Sequence, residues 1–186
     1  MIYRIQDEAM KMKIKLFTLS TVTLGLLATL TAVGAEAVRF ADGRIAFNRP
    51  PNLVEATTRD ISSVGNGQFH FVVEVPIDAG EPLGAVVITP RDRANRIAFN
   101  LSVSQAMLSP AYAQGSDVPL ASVGGAMDDT NSILVVFDEP VQPGETVTVT
   151  LRTVHNPLGG VYQFDVTGYP AGDNGIGQFL GVGRIQ

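Results

Sequence analysis

Along most of this chain, apolar and polar residues alternate in short runs separated by turn clusters, and no stretch keeps a helical period. Gln68 to Val75 is the clearest run. Phe69, Phe71, Val73 and Val75 share one face, Gln68, His70 and Glu74 share the other, and Val72 breaks the pattern. Such alternation predicts a strand with one face buried and one wet, and Pro76, which cannot donate to a ladder, ends it. Ala85 to Thr89 is apolar on both faces, as a fully buried strand would be. Asn95 to Leu101 places Ile97, Phe99 and Leu101 inward, and Ser132 to Phe137 repeats the pattern. In Thr146 to Val154, Val147, Val149 and Leu151 oppose Thr146, Thr148, Thr150 and Arg152, which predicts a solvated threonine face. Val161 to Thr167 and Gln178 to Val182 complete the set, around a turn-rich stretch from Gly168 to Gly177.

The connections are read from their turn residues. Pro143-Gly144 suits the centre of a type II turn, so Asp138 to Glu145 is expected to join its flanking strands in a hairpin-like way. One helical turn is expected from Ser102 to Leu108. The Ala-, Gly-, Ser- and Pro-rich stretch from Ser109 to Asp129 reads as a flexible loop. The predicted fold is all-β, an immunoglobulin-like two-sheet β-sandwich of about seven or more strands, with a barrel as the alternative.

The N-terminus follows a different logic. Lys11, Lys13 and Lys15 precede an uncharged run from Leu16 to Val33, and Ala35-Glu36-Ala37 follows. Basic, apolar and small residues in that order read as a secretion signal over 1–37, cut after Ala37, with a domain over 38–186. Asp7 and Glu8 are foreign to such a segment, which points to Met10 or Met12 as the start. An uncleaved anchor is the competing reading, weakened by the threonines that dilute the run. With no cysteine in the chain, disulfides, lipid attachment through cysteine and thiol chemistry are excluded. Beyond residue 37, nine arginines face fifteen carboxylates and there is no lysine, a charge of −6. That acidity argues against nucleic acid or anionic lipid as the main partner.

The C-terminal third carries a longer pattern. Asn156-Pro157-Leu158-Gly159-Gly160-Val161-Tyr162-Gln163-Phe164 is followed by Tyr169-Pro170-Ala171-Gly172 and by Gly177-Gln178-Phe179-Leu180-Gly181-Val182-Gly183. With Phe40 to Gly43, Pro50 to Val54 and Ala79 to Leu83, it resembles a cyanobacterial exported family known as domain of unknown function 2808. The resemblance implies a cyanobacterial source and an envelope or extracellular location. It implies no catalytic residues.

Candidate chemistry is sparse. Of the two histidines, His70 is expected on a wet strand face and His155 at a strand end, and no Gly-x-Ser-x-Gly elbow supplies a nucleophile. Asp128, Asp129 and Asn131 are the weak candidates for Ca²⁺ oxygens, helped by Asp138 or by Asp173-Asn174; turn formation explains the same residues more simply. Gly172 to Gly177 lacks the following helix that a phosphate loop needs. The alternate glycines from Gln178 to Gly183 leave one strand face bare, suited to close approach of another backbone, an aromatic ring or a bulge, or else to packing within the domain itself. Tyr112, Tyr162 and Tyr169 offer a modest stacking platform for sugar, or else core and corner positions.

The expected function is therefore a non-catalytic protein-interaction or structural module, exported to the periplasm, cell surface or medium. The alternative is a carbohydrate- or calcium-binding module of the cell surface. No cofactor, no nucleic acid and no membrane contact beyond the signal are expected.

Overall fold

The chain condenses around the face that Phe69, Phe71 and Val73 share, because burying such a face needs a second sheet to cover it. The computed structural model describes residues 38–59, 67–91, 97–109, 115–126, 129–155 and 160–186, all within the compact unit Gly34–Gln186. The expected signal segment, with Ala35 and Ala37, lies outside the described residues, as do Tyr112, Asp128, Asn156 and Pro157.

Two five-stranded sheets form the fold. Sheet I runs in the order β3 (Asn52–Arg59), β4 (Gln68–Glu74), β10 (Thr146–Thr153), β6 (Phe99–Leu108) and β7 (Ser116–Val118). Sheet II runs β12 (Gln178–Ile185), β11 (Tyr162–Pro170), β5 (Leu83–Pro90), β9 (Asp129–Val141) and β8 (Leu120–Ala126). A short ribbon of β1 (Val38–Arg39) and β2 (Ile45–Ala46) completes the set, and every pairing within the sheets is antiparallel. This is an immunoglobulin-like β-sandwich, with two separate sheets in place of a closed barrel and no helix among the described residues.

The expected inward residues are inward. Phe69, Phe71, Val73, Val75, Val147, Val149 and Leu151 meet Leu83, Val86, Ile88, Val135, Phe164 and Val166 across the sandwich. Ile97, Phe99 and Leu101 pack against that core from a partly buried position.

Several local expectations give way to pairing. Ser102 to Leu108 is strand, because β10 and β7 pair with β6 from its two sides, and two ladders outweigh a weak helical preference. Part of the expected loop from Ser109 to Asp129 is β7 and β8, whose small residues pair with β6 and β9. Gly168, placed in a turn stretch by its sequence, lies within β11, where its bare α-carbon leaves room for the Leu83 and Leu180 side chains. The threonine face of β10 is also not solvated. Thr148 and Thr150 are buried in the middle strand of sheet I. Thr148 Oγ1 donates to the Ser109 carbonyl at 2.5 Å, and Thr150 Oγ1 lies 2.9 Å from His70 Nδ1.

The Asp138 to Glu145 connection turns where expected, over Gln142 to Glu145, with Gly144 at φ +90°. It is not a hairpin, since β9 and β10 belong to opposite sheets. Replacing Gly144 with alanine forces a side chain into the left-handed region. The expected cost is about 1–2 kcal/mol, read as a melting point lower by a few degrees.

Candidate functional site

β5 reads as apolar on both faces, but only one face is in the core. Val86 and Ile88 point inward, while Ala85 and Val87 lie half-buried on the outer side of sheet II. The register sets Val87 opposite Leu134 of β9 and Thr167 of β11, and Ala85 opposite Val136 and Tyr169. Thr167 in turn pairs with Phe179 of β12, whose ring is 59% exposed. Apart from Thr167, an apolar row thus crosses the outer face, where an antiparallel sheet with one wet side would carry polar residues.

A groove of about 660 Å³ opens along this row, lined chiefly by Ala85, Val87, Leu134, Val136, Tyr169 and Pro170. Its end wall is the Tyr169-Pro170-Ala171-Gly172 stretch, with Asp173 beside it. The Tyr169 ring lies on the backbone of Gly177, where a Cβ would stand 2.6 Å from the ring Cζ. Ala171 N donates to the Pro82 carbonyl at 2.9 Å, Ile176 N to the Ile45 carbonyl at 2.8 Å, and Phe47 N to Gln178 Oε1 at 2.7 Å. The Tyr169–Gly172 stretch is thereby tied to the Ala79–Leu83 segment, and the start of β12 to the residues around β2.

β9 breaks its ladder beside the groove. Between the pairs Ala85–Val136 and Leu83–Val141, Phe137 to Pro140 stand opposite Gly84 alone. The bulge accommodates Pro140 in a strand and projects Asp138 and Glu139 into solvent. Beyond Pro140 lies a second depression of about 400 Å³, lined by Asp117, Asp138, Glu139 and Glu145 among others. None of these four carboxylates forms an ion pair with a described residue. Pro140 lines both hollows.

The third feature is an edge. β8 closes one side of sheet II and holds unbroken register with β9 from Ser122 to Gly125, between two register shifts. Its sequence, Leu120 to Ala126, has no charge and no proline. The other sheet edges are guarded. β3 carries Glu55 and a bulge, β7 is three residues long with Asp117, and β12 carries Arg184 and a bulge at Gly181.

The residues singled out in the sequence fall into separate places. His70 is half-buried on β4 against Thr150, and His155 is exposed beyond β10, so the histidines are not brought together. Asp129 begins β9, and Asn131 is a half-buried residue with a partner. Among the described residues, no three His, Asp or Glu stand close enough to hold a metal ion. Tyr162 and Phe164 join the aromatic core, and Gly160 precedes β11. Gly181 and Gly183 face Leu53 and Ala56 of β3, so the bare strand face is packed within the domain. The groove and its acidic neighbour were missed; the signal available was the doubly apolar β5, read as burial.

No curated protein matches the chain. Among solved structures, the collagen-binding subdomain of the Enterococcus faecalis surface protein ACE is similar over 74% of this chain and 99% of that one, at 6% identity and a TM-score of 0.45. The C-terminal domain of the Streptococcus agalactiae AgI/II polypeptide BspA is similar over 74% of this chain and 50% of that one, at 14% identity and a TM-score of 0.39. AvmM, which catalyses macrocyclization in alchivemycin A biosynthesis, is similar over 82% of this chain and 96% of that one, at 10% identity and a TM-score of 0.33. Likenesses at these values concern strand architecture and carry no ligand or activity with them. The model of the family described as "protein of unknown function (DUF2808)" matches residues 44–186, and the chain belongs to that family.

Proposed function

We propose that this chain is an exported, non-catalytic module that binds another polypeptide in the envelope, at the cell surface or outside the cell. Contact is made by strand addition at β8. The observation that carries this reading is the contrast between edges: each of the other three carries a charged residue, and β8, whose register with β9 shifts only toward its two ends, carries none. Every second residue of an edge strand points its N–H and C=O away from its neighbour, and an incoming strand satisfies them. The signal-like order of residues 1–37 supports export.

The test is a proline scan over Ser122 to Gly125 in the full tagged chain. Proline at the positions whose N–H faces β9 breaks the native ladder, while at the alternate positions it removes only the outward donor. Variants of the second kind are expected to melt like the wild type. They are also expected to lose, by at least roughly tenfold, any protein that the wild type recovers in near-equal amount from solubilised envelope. Undiminished recovery by those variants would exclude strand addition, and recovery of glycan alone would favour a carbohydrate-binding module.

A further inference from the structure

The apolar groove and the acidic depression share Pro140, in the bulge of β9, as a common wall. A partner that fills one therefore lies beside the other. The groove offers Val87, Leu134, Val136 and the Tyr169 ring to an apolar side chain. The depression offers Asp117, Asp138, Glu139 and Glu145, which no described arginine neutralises. Carboxylates lining one hollow focus a negative potential that selects cations and raises encounter rates.

We propose that this surface binds a basic, extended polypeptide segment of a partner protein. An aromatic or aliphatic side chain of that segment fills the groove, and its lysine or arginine side chains reach the depression across Pro140. The inference rests on the protein-contact reading and names the partner's chemistry. Charge selects this occupant. A second copy of the domain beyond residue 37 brings the same −6 and the same acidic hollow, and anionic lipid or nucleic acid meets like charge. A bare metal ion lacks a ligand set among the described residues. β8 adjoins the same face, since Gly124 pairs with Leu134 and Ser122 with Val136. The small residues of β8 leave the side chains of an added strand room to lean toward the groove.

The experiment selects peptides from a displayed random library on the immobilised full chain and measures binding of the selected, labelled peptides. Lysine or arginine is expected next to aromatic or aliphatic residues in the selected set. Binding should weaken about tenfold in Asp138→Asn/Glu139→Gln, and again roughly tenfold between low and high salt, because exposed charges are screened. Leu134→Glu should abolish it. Tyr169→Ala serves the same purpose if Leu134→Glu fails to fold. Selected peptides that are acidic or neutral, or that bind the groove and acid variants as tightly as the wild type, overturn the inference. If such peptides are lost only in the β8 proline variants, strand addition stands without the groove. If nothing is enriched above bare support, the protein-contact reading falls with it.

Discussion

Replacing Phe164 with alanine is expected to cost about 3–5 kcal/mol of stability, lowering the melting temperature by roughly 10 °C or more. Phe164 is 1% exposed and belongs to β11 of sheet II. Its ring meets three rings of sheet I edge-to-face, with centroids 5.3 Å from Phe71, 5.9 Å from Phe69 and 6.5 Å from Phe99. Truncation removes the transfer energy of a buried ring and leaves a cavity between two sheets that cannot close around it. It also removes edge-to-face contacts with a preferred geometry. Phe179→Ala is the matched control. Phe179 lies on the outer face with its ring 59% exposed, so the expected change is within about 0.5 kcal/mol. Calorimetric melting of the two variants against the wild type decides it, and equal effects would mean that the cluster does not join the sheets.

Gly183→Val is expected to destabilise by roughly 1–3 kcal/mol, for the opposite reason. A Cβ at Gly183 would stand 2.7 Å from the Cβ of Ala56 on β3. Ala56 has no rotamer to move, so relief requires a backbone shift of β3 or β12. Valine adds two methyl groups to the conflict. Ala56→Gly in the same chain removes the obstructing atom and should recover part of the loss, giving a coupling that single substitutions far apart would not show. Gly177→Ala is the informative contrast. Its Cβ meets only the far end of the Tyr169 side chain, a ring able to swing outward. The effect on stability should be smaller and the effect on the groove larger. Denaturant unfolding of Gly183→Val, Ala56→Gly and their combination measures the coupling, and strict additivity would exclude direct contact across the sandwich.

The sequence by itself determined which residues could be buried. The alternation in Gln68 to Val75, the runs around Val147 and Val166, and the glycine and proline punctuation require antiparallel strands with one apolar face, and such faces are satisfied by a second sheet. The bare glycine face of β12 was legible for the same reason, because a missing side chain has no use except close approach. Periodicity says which side of a strand is apolar. It does not say which strand lies beside it.

Only the tertiary structure decided the rest. Ser102 to Leu108 became strand because two neighbours offered it ladders, and Thr148 and Thr150 were buried because β10 took the central place in its sheet. The Pro143-Gly144 turn was read correctly, but it crosses between sheets, since turn chemistry fixes a local bend and not the destination of the chain. The candidate site depended on the same long-range choices. Val87, Leu134 and Tyr169 are far apart along the chain, and their meeting follows from strand order. The acidic hollow exists because the ladder of β9 breaks beside Gly84, a register decision that no local pattern records.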